Sequence, residues 1–236
     1  MAARVRRGGL TMILGIACMA AVAAVVVVLV VWHIQQERQR IEQASPYETP
    51  TGSPVAPGGP NVAGMPIVPP VLYCLDCANS MSPGYDAAQA IVRRSVAGLP
   101  HGEKFSVQLW RGEGVMTLSP GMEAAGPDTA DKVDEFLSRF GPKDMTDKPS
   151  LLRQAIQQAP AGTKSIVVLT ADFGDAAGLA EAANARGVRI YAVTIGGYEA
   201  AEKALARLAE QTGGAARAFT PAAARQWVRG ASHVDN

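Results

Sequence analysis

The chain has 236 residues, 48% of them hydrophobic and 18% charged, with a formal net charge of +1. Its mean hydropathy is +0.07 and its pI about 7.7. That balance excludes a basic footprint for nucleic acid and an acidic disordered tail, and such hydropathy with only 6% aromatic residues places part of the apolar content outside a globular core.

Residues 10–32 run for 23 positions without a charge, long enough to cross the hydrocarbon core of a bilayer. The small residues Ala20, Ala21, Ala23 and Ala24 precede the apolar run 25–31. This reverses the order found in a cleaved signal peptide, so the segment reads as a retained signal anchor, with cleavage and secretion as the alternative. Arg4, Arg6 and Arg7 stand before it, and the mixed set Glu37, Arg38, Arg40 and Glu42 after it. The positive-inside bias puts residues 1–9 in the cytoplasm and everything after Trp32 beyond the membrane, in the periplasm if the source is bacterial. Residues 33–70 follow as a membrane-proximal segment and linker. From residue 44 on they hold eight of the sixteen prolines, with Gly52, Gly58, Gly59 and Gly64, a composition expected to stay extended rather than fold.

Residues 71–236 suffice for one core, and strand and helix patterns alternate along them, which predicts an α/β fold with a mostly parallel sheet. A short apolar strand over 71–76 precedes Ala88, Ile91, Val92, Val96 and Leu99 at helical spacing, stopped by Gly98 and Pro100. Residues 105–110 and 115–118 predict a hairpin whose second strand lies at a sheet edge. Asp128 heads a helix with Val133, Phe136, Leu137 and Phe140 on one face, and Pro149 opens the next, carrying Leu151, Leu152, Ala155 and Ile156. Strands over 166–169 and 188–195 bracket a helix over 176–186. Ala201, Leu205 and Leu208 mark a further helix ending at Gly213 and Gly214, before a last strand near 216–219 and a helix from Pro221.

Several strings then resemble one family. Val71-Leu-Tyr-Cys-Leu-Asp76-Cys-Ala-Asn-Ser80-Met81 is similar to the first strand and D-x-S-x-S loop of von Willebrand factor A (vWA) domains. Ile166-Val-Val-Leu-Thr170, with an acidic loop after it, resembles their fourth strand. Gly187-Val-Arg-Ile-Tyr-Ala-Val-Thr-Ile-Gly196, then Leu205-Ala-Arg-Leu-Ala-Glu-Gln-Thr-Gly213-Gly214, resembles the fifth strand and the helix behind it. The resemblance covers residues 71–236. It implies a doubly wound, mostly parallel six-stranded sheet with helices on both faces. It also implies a metal-ion-dependent adhesion site above the carboxyl ends of the first and fourth strands, where Mg²⁺ takes hard oxygen ligands.

Carried over residue by residue, the resemblance makes Asp76 the first carboxylate, Ser80 the second hydroxyl and Thr146 the threonine of the second loop, with Ser150 as a fallback. Ala78 stands where the motif has its first Ser, and Ala171 where the strand-four carboxylate falls. Asp172, one place later, points to the opposite face unless the loop bends, and Asp175 is a weaker substitute. So few oxygens predict a degenerate site that keeps the scaffold without the ion; Mg²⁺ held by Asp76, Ser80, Thr146 and Asp172 is the alternative.

Cys74 and Cys77 form a C-x-x-C string. Within a strand, positions three apart point to opposite faces, with Cα atoms roughly 10 Å apart, whereas a disulfide needs less than about 7 Å. Buried apolar thiols are therefore expected. The nucleophile elbow, the zinc-protease helix pair and the phosphate-binding loop are absent as sequence strings. The sequence thus predicts a non-enzymatic, single-pass membrane protein that displays a vWA-like domain to bind a protein partner, itself unknown. A thiol redox protein using Cys74 and Cys77, or a cell-envelope assembly subunit, are the alternatives.

Overall fold

The computed structural model describes residues 59–231 together with Trp32. The anchor expected over residues 10–32, Trp32 apart, and the linker up to residue 58 lie outside the described residues. Among the described residues no helix is long and apolar enough to cross a membrane.

Asn61–Val62 (β1) and Met65–Pro66 (β2) pair as an antiparallel hairpin. Ala63 and Gly64 between them both have positive φ, 51° and 79°, the backbone that a tight two-residue hairpin turn demands. Composition predicts an unfolded linker over these residues, but the packed unit begins ahead of Val71. Val62, Met65 and Ile67 are buried in the same core as the sheet, so a stretch rich in proline and glycine still has apolar side chains to bury. Two long-range bonds fix the hairpin. The Ser95 hydroxyl donates to the Asn61 carbonyl (2.6 Å), and Arg217 Nη1 donates to the Ala63 carbonyl (2.5 Å). Because the Ser95 proton is committed to Asn61, the buried Tyr73 hydroxyl, 2.8 Å away, must be the donor to Ser95 Oγ.

The main body continues with Val71–Asp76 (β3), Tyr85–Ala97 (α1), Lys104–Arg111 (β4), Gly114–Thr117 (β5), Glu123–Ala124 (β6), Thr129–Ser138 (α2), Lys148–Gln158 (α3) and Ser165–Thr170 (β7). Leu179–Ala185 (α4), Arg189–Ile195 (β8), Glu199–Gln211 (α5), Ala216–Phe219 (β9) and Pro221–Ala231 (α6) complete it. Six strands lie in the order β5-β4-β3-β7-β8-β9, and short β6 pairs with the other end of β4. β5 and β6 are antiparallel to β4, and every other pairing is parallel. The expected six-stranded sheet therefore gains one two-residue strand, and the predicted edge hairpin is β4–β5.

Every residue of β3 and β7 is buried. Strands covered on both faces read as unbroken apolar runs, which is why the sequence shows no alternation there. One core packs Tyr73, Leu75, Val107 and Val167 against Ile91 of α1, Leu137 of α2 and Ala224 of α6. The other packs Leu72, Ile166 and Ile190 against Leu152 of α3, Leu179 of α4 and Leu205 of α5. Right-handed crossovers explain the division. From β3 the chain steps to β4 on one side, and from β7 to β8 and β9 on the other, so α1 falls on one face while α4 and α5 fall on the opposite one. The reversal of strand order beside β3 opens a crevice at the carboxyl ends of β3 and β7, where ligands of such sheets bind.

Candidate functional site

The crevice is built around Asp76, the last residue of β3 and fully buried. The parallel register that sets Leu75 against Leu169 brings Thr170, the end of β7, beside it. Asp76 Oδ1 accepts from the Ala78 amide and the Thr146 hydroxyl, both at 3.0 Å. Thr170 Oγ1 lies 2.8 Å from Asp76 Oδ2 and 2.7 Å from the Asp172 carbonyl oxygen. Lys148 Nζ is 3.5 Å from Asp76 Oδ2 and ion-paired to Asp172 Oδ1. Asp76 thus meets four donors, which matches the acceptor capacity of a carboxylate.

A loop over residues 141–147 carries Thr146 to the site and leads directly into Lys148. The Lys143 amide donates to the Cys77 carbonyl (2.8 Å), the Asn79 amide donates to the Asp144 carbonyl (3.0 Å), and Asp144 holds a positive φ of 67°. Pinned across residues 77–79, the loop ends at Asp147, whose carboxylate accepts the Ser150 amide at 3.3 Å and caps α3. Lys148 is the first residue of that helix, and its side chain is 7% exposed. A cation there faces the positive end of the helix dipole. Two carboxylates offset that placement.

Burial pushes the Asp76 carboxyl above the ordinary range for aspartate, and it is opposed first by the Lys148 charge, then by Thr170, the Ala78 amide and Thr146. At the separation of Lys148 from Asp76, the attraction is about 4–5 kcal/mol for an effective dielectric of about 20. That is the same order as the several kcal/mol it costs to desolvate each ion. The cluster as a whole therefore adds little net stability, but removing one member leaves the others buried and uncompensated.

Of the residues expected at a metal site, the structure joins three. Asp76 and Thr146 are in direct contact, and Asp172 comes in through Lys148, because the Asp172 amide donates to Thr170 Oγ1 at 3.4 Å and turns the chain just after β7. Ser80 belongs to a short 3₁₀ turn, Asn79–Met81, and its buried hydroxyl has no hydrogen-bond partner among the described residues. Ser150 serves the helix cap, and Asp175 accepts the Ala177 amide within its own exposed loop (3.0 Å). The sequence pattern does not single out Lys148 or Thr170 as site residues. The one sequence signal for Lys148 is a lysine at a helix start beside a proline, where an anion is the favoured residue.

The donor set does not fit Mg²⁺, which asks for about six oxygens in a near-ideal octahedron. Ala78 and Ala171 offer no side-chain oxygen, both oxygens of Asp76 are already engaged, and an ammonium stands between the two carboxylates. The orphaned Ser80 hydroxyl is the one group that would favour an added ligand. Among the described residues, no group of three or more His, Cys, Asp or Glu side chains could hold a metal ion.

The two thiols lie apart. Cys74 belongs to the core on the α3, α4 and α5 face, and Cys77 to the core on the other face. Both are free and fully buried, and burial raises both thiol pKa values, which depletes the reactive thiolate. Cys77 Sγ donates to the Gly141 carbonyl at 3.0 Å, a structural tie for the loop above it.

A doubly wound sheet with a buried aspartate at its strand-order reversal, held by a threonine from a second loop, defines a class of α/β domain. The sequence model of the von Willebrand factor type A domain matches residues 70–218, and the chain belongs to that family. Its fold is similar to that of a von Willebrand factor type A protein from Catenulispora acidiphila, at 21% identity and a TM-score of 0.55, over 67% of this chain and 41% of that one. It is also similar to an aerotolerance-related membrane protein from Bacteroides fragilis, at 16% identity and a TM-score of 0.48, over 67% of this chain and 98% of that one. No curated protein sequence matches the chain.

Proposed function

We propose that the chain is a non-enzymatic, membrane-anchored vWA domain that binds another protein through the loops at the carboxyl edge of its sheet. The observation that carries this reading is the placement of apolar side chains. Among the described residues the large hydrophobic side chains left exposed are Trp32, Val68, Met145 and Tyr198. Met145 is 87% exposed in the loop that delivers Thr146, and Tyr198 is 74% exposed at the head of α5, directly after β8. Both therefore stand on the rim of the Asp76 crevice. Tyrosine and methionine are enriched in protein interfaces relative to other surfaces. The uncharged run over residues 10–32 supplies the proposed anchor, and the segment after it a tether that raises the domain's effective concentration near membrane partners.

The reading is tested with a photo-crosslinking amino acid placed at position 145, 198 or 68 of the full chain in its native cells. Val68 precedes β3 and lies at the opposite, amino edge. The expected result is one identified protein adduct shared by positions 145 and 198 and absent at 68, lost when the other rim residue is changed to alanine. Equal adducts at all three positions, or the same adduct at 68 alone, would overturn the reading.

A further inference from the structure

We propose that the Lys148 ammonium is the resident cation of this crevice, so that the domain binds without a divalent metal. The proposal rests on the crevice being the binding site argued above, and deepens it by naming the charge at its floor. In a site of this family a metal ion would gather a carboxylate from the first strand, hydroxyls from two loops and a carboxylate after the fourth strand. Here the ammonium spans Asp76 at the end of β3 and Asp172 after β7. The hydroxyls of Thr146 and Thr170 approach Asp76 as well. A hydroxyl that donates its proton to a carboxylate is arranged around an anion, and the arrangement is already complete without an ion between them.

The two places from which coordinating side chains are missing, Ala78 and Ala171, are buried and apolar. A divalent ion entering would have to expel Lys148, whose side chain is nearly sealed from solvent and begins a helix that packs Leu151 and Leu152 into the core. A tethered ammonium costs no dehydration of a divalent ion and cannot be diluted away. It also cannot open a coordination position for an incoming carboxylate. The partner is then expected to be recognised by the rim side chains and by Asp172, whose side chain is 35% exposed, rather than by a metal bond.

Two measurements on the full chain in detergent test this, and neither needs a partner, so their failure is distinct from failure of the docking reading. In the first, Mn²⁺ is titrated into the protein and the free ion is followed by electron paramagnetic resonance. No Mn²⁺ binding that depends on Asp76 or Ser80 is expected; binding by the unaltered protein that Asp76→Asn or Ser80→Ala removes overturns the proposal. In the second, Lys148→Met keeps the aliphatic stem and removes the charge. Its melting temperature is expected to fall by about 10 °C, as for breaking a buried ion pair, while millimolar Mg²⁺ and a chelator leave the unaltered protein's melting temperature the same. An unchanged melting temperature in Lys148→Met, or a rise in that of the unaltered protein with Mg²⁺ that Asp76→Asn abolishes, overturns it. Should Lys148→Met fail to fold, the Mn²⁺ titration of the unaltered protein still decides.

Discussion

At the scale of single residues, the crevice depends on hydroxyls whose protons are aimed at a buried charge. Thr170 is fully buried and stands between Asp76 and the turn at Asp172, whereas Thr146 is only half-buried. A hydrogen bond to a charged group contributes about 1.5–3 kcal/mol, and a buried acceptor cannot turn to water when the donor is lost. Thr170→Val, nearly the same shape without the proton, is therefore expected to destabilise the domain by about 2 kcal/mol, and Thr146→Val by less. Urea unfolding midpoints would show that order; equal midpoints for the two variants would contradict it. Asp76 and Thr146 were legible in the sequence because their spacing survives in short motifs. Lys148 and Thr170 were not: Lys148 lies in no motif, and Thr170 stands in the sequence only as the end of the fourth-strand string. The first acts through a helix start that lies beside β7 only after folding, and the second through strand register. Asp172 was legible as a candidate, but the bend that brings it in depends on a bond made by Thr170.

At the scale of elements, the turn between α5 and β9 brings two backbones too close for any side chain at Gly214. A Cβ on Gly214 would lie 1.9 Å from the Ile190 carbonyl oxygen, a backbone atom of β8 that cannot move aside without breaking its ladder. Gly141, by contrast, has no atom within 4 Å of where a Cβ would be. Gly214→Ala is expected to cost on the order of 3 kcal/mol or more, or to prevent soluble accumulation, while Gly141→Ala stays within about 0.5 kcal/mol of the parent. Thermal unfolding of the two variants side by side checks this. The sequence marked Gly213 and Gly214 as a helix stop, which they are, but close approach of two backbones is not visible in a one-dimensional pattern. The helix predicted over residues 176–186 is likewise shorter, Leu179–Ala185, because Gly178 ahead of it takes a left-handed backbone with φ of 71°. The long strands β3, β7 and β8 were legible as apolar runs. β1, β2 and β6, each two residues long, offer no period to detect.

At the scale of the whole molecule, composition drew the domain boundary too late. Residues rich in proline and glycine were expected to remain a spacer up to residue 70, yet Val62, Met65 and Ile67 are buried and the Ser95 hydroxyl is spent on Asn61. Burying each such side chain contributes about 1.5–3 kcal/mol. A chain shortened to begin at Val71 is therefore expected to unfold at a clearly lower urea concentration than one beginning at Gly59; coincident transitions would show that the hairpin contributes nothing.

The same hairpin also decides how the domain meets a mechanical load. β3 is flanked by β4 and β7 in the middle of the sheet, so a pull delivered straight to Val71 would act on the central strand. With β1 and β2 ahead of it, a pull arriving along the chain from residue 59 first loads the bonds from Ser95 to Asn61 and from Arg217 to Ala63. Val62, Met65 and Ile67 would also have to leave the core before such a load reached Val71, so the hairpin stands between the chain ahead of it and the central strand.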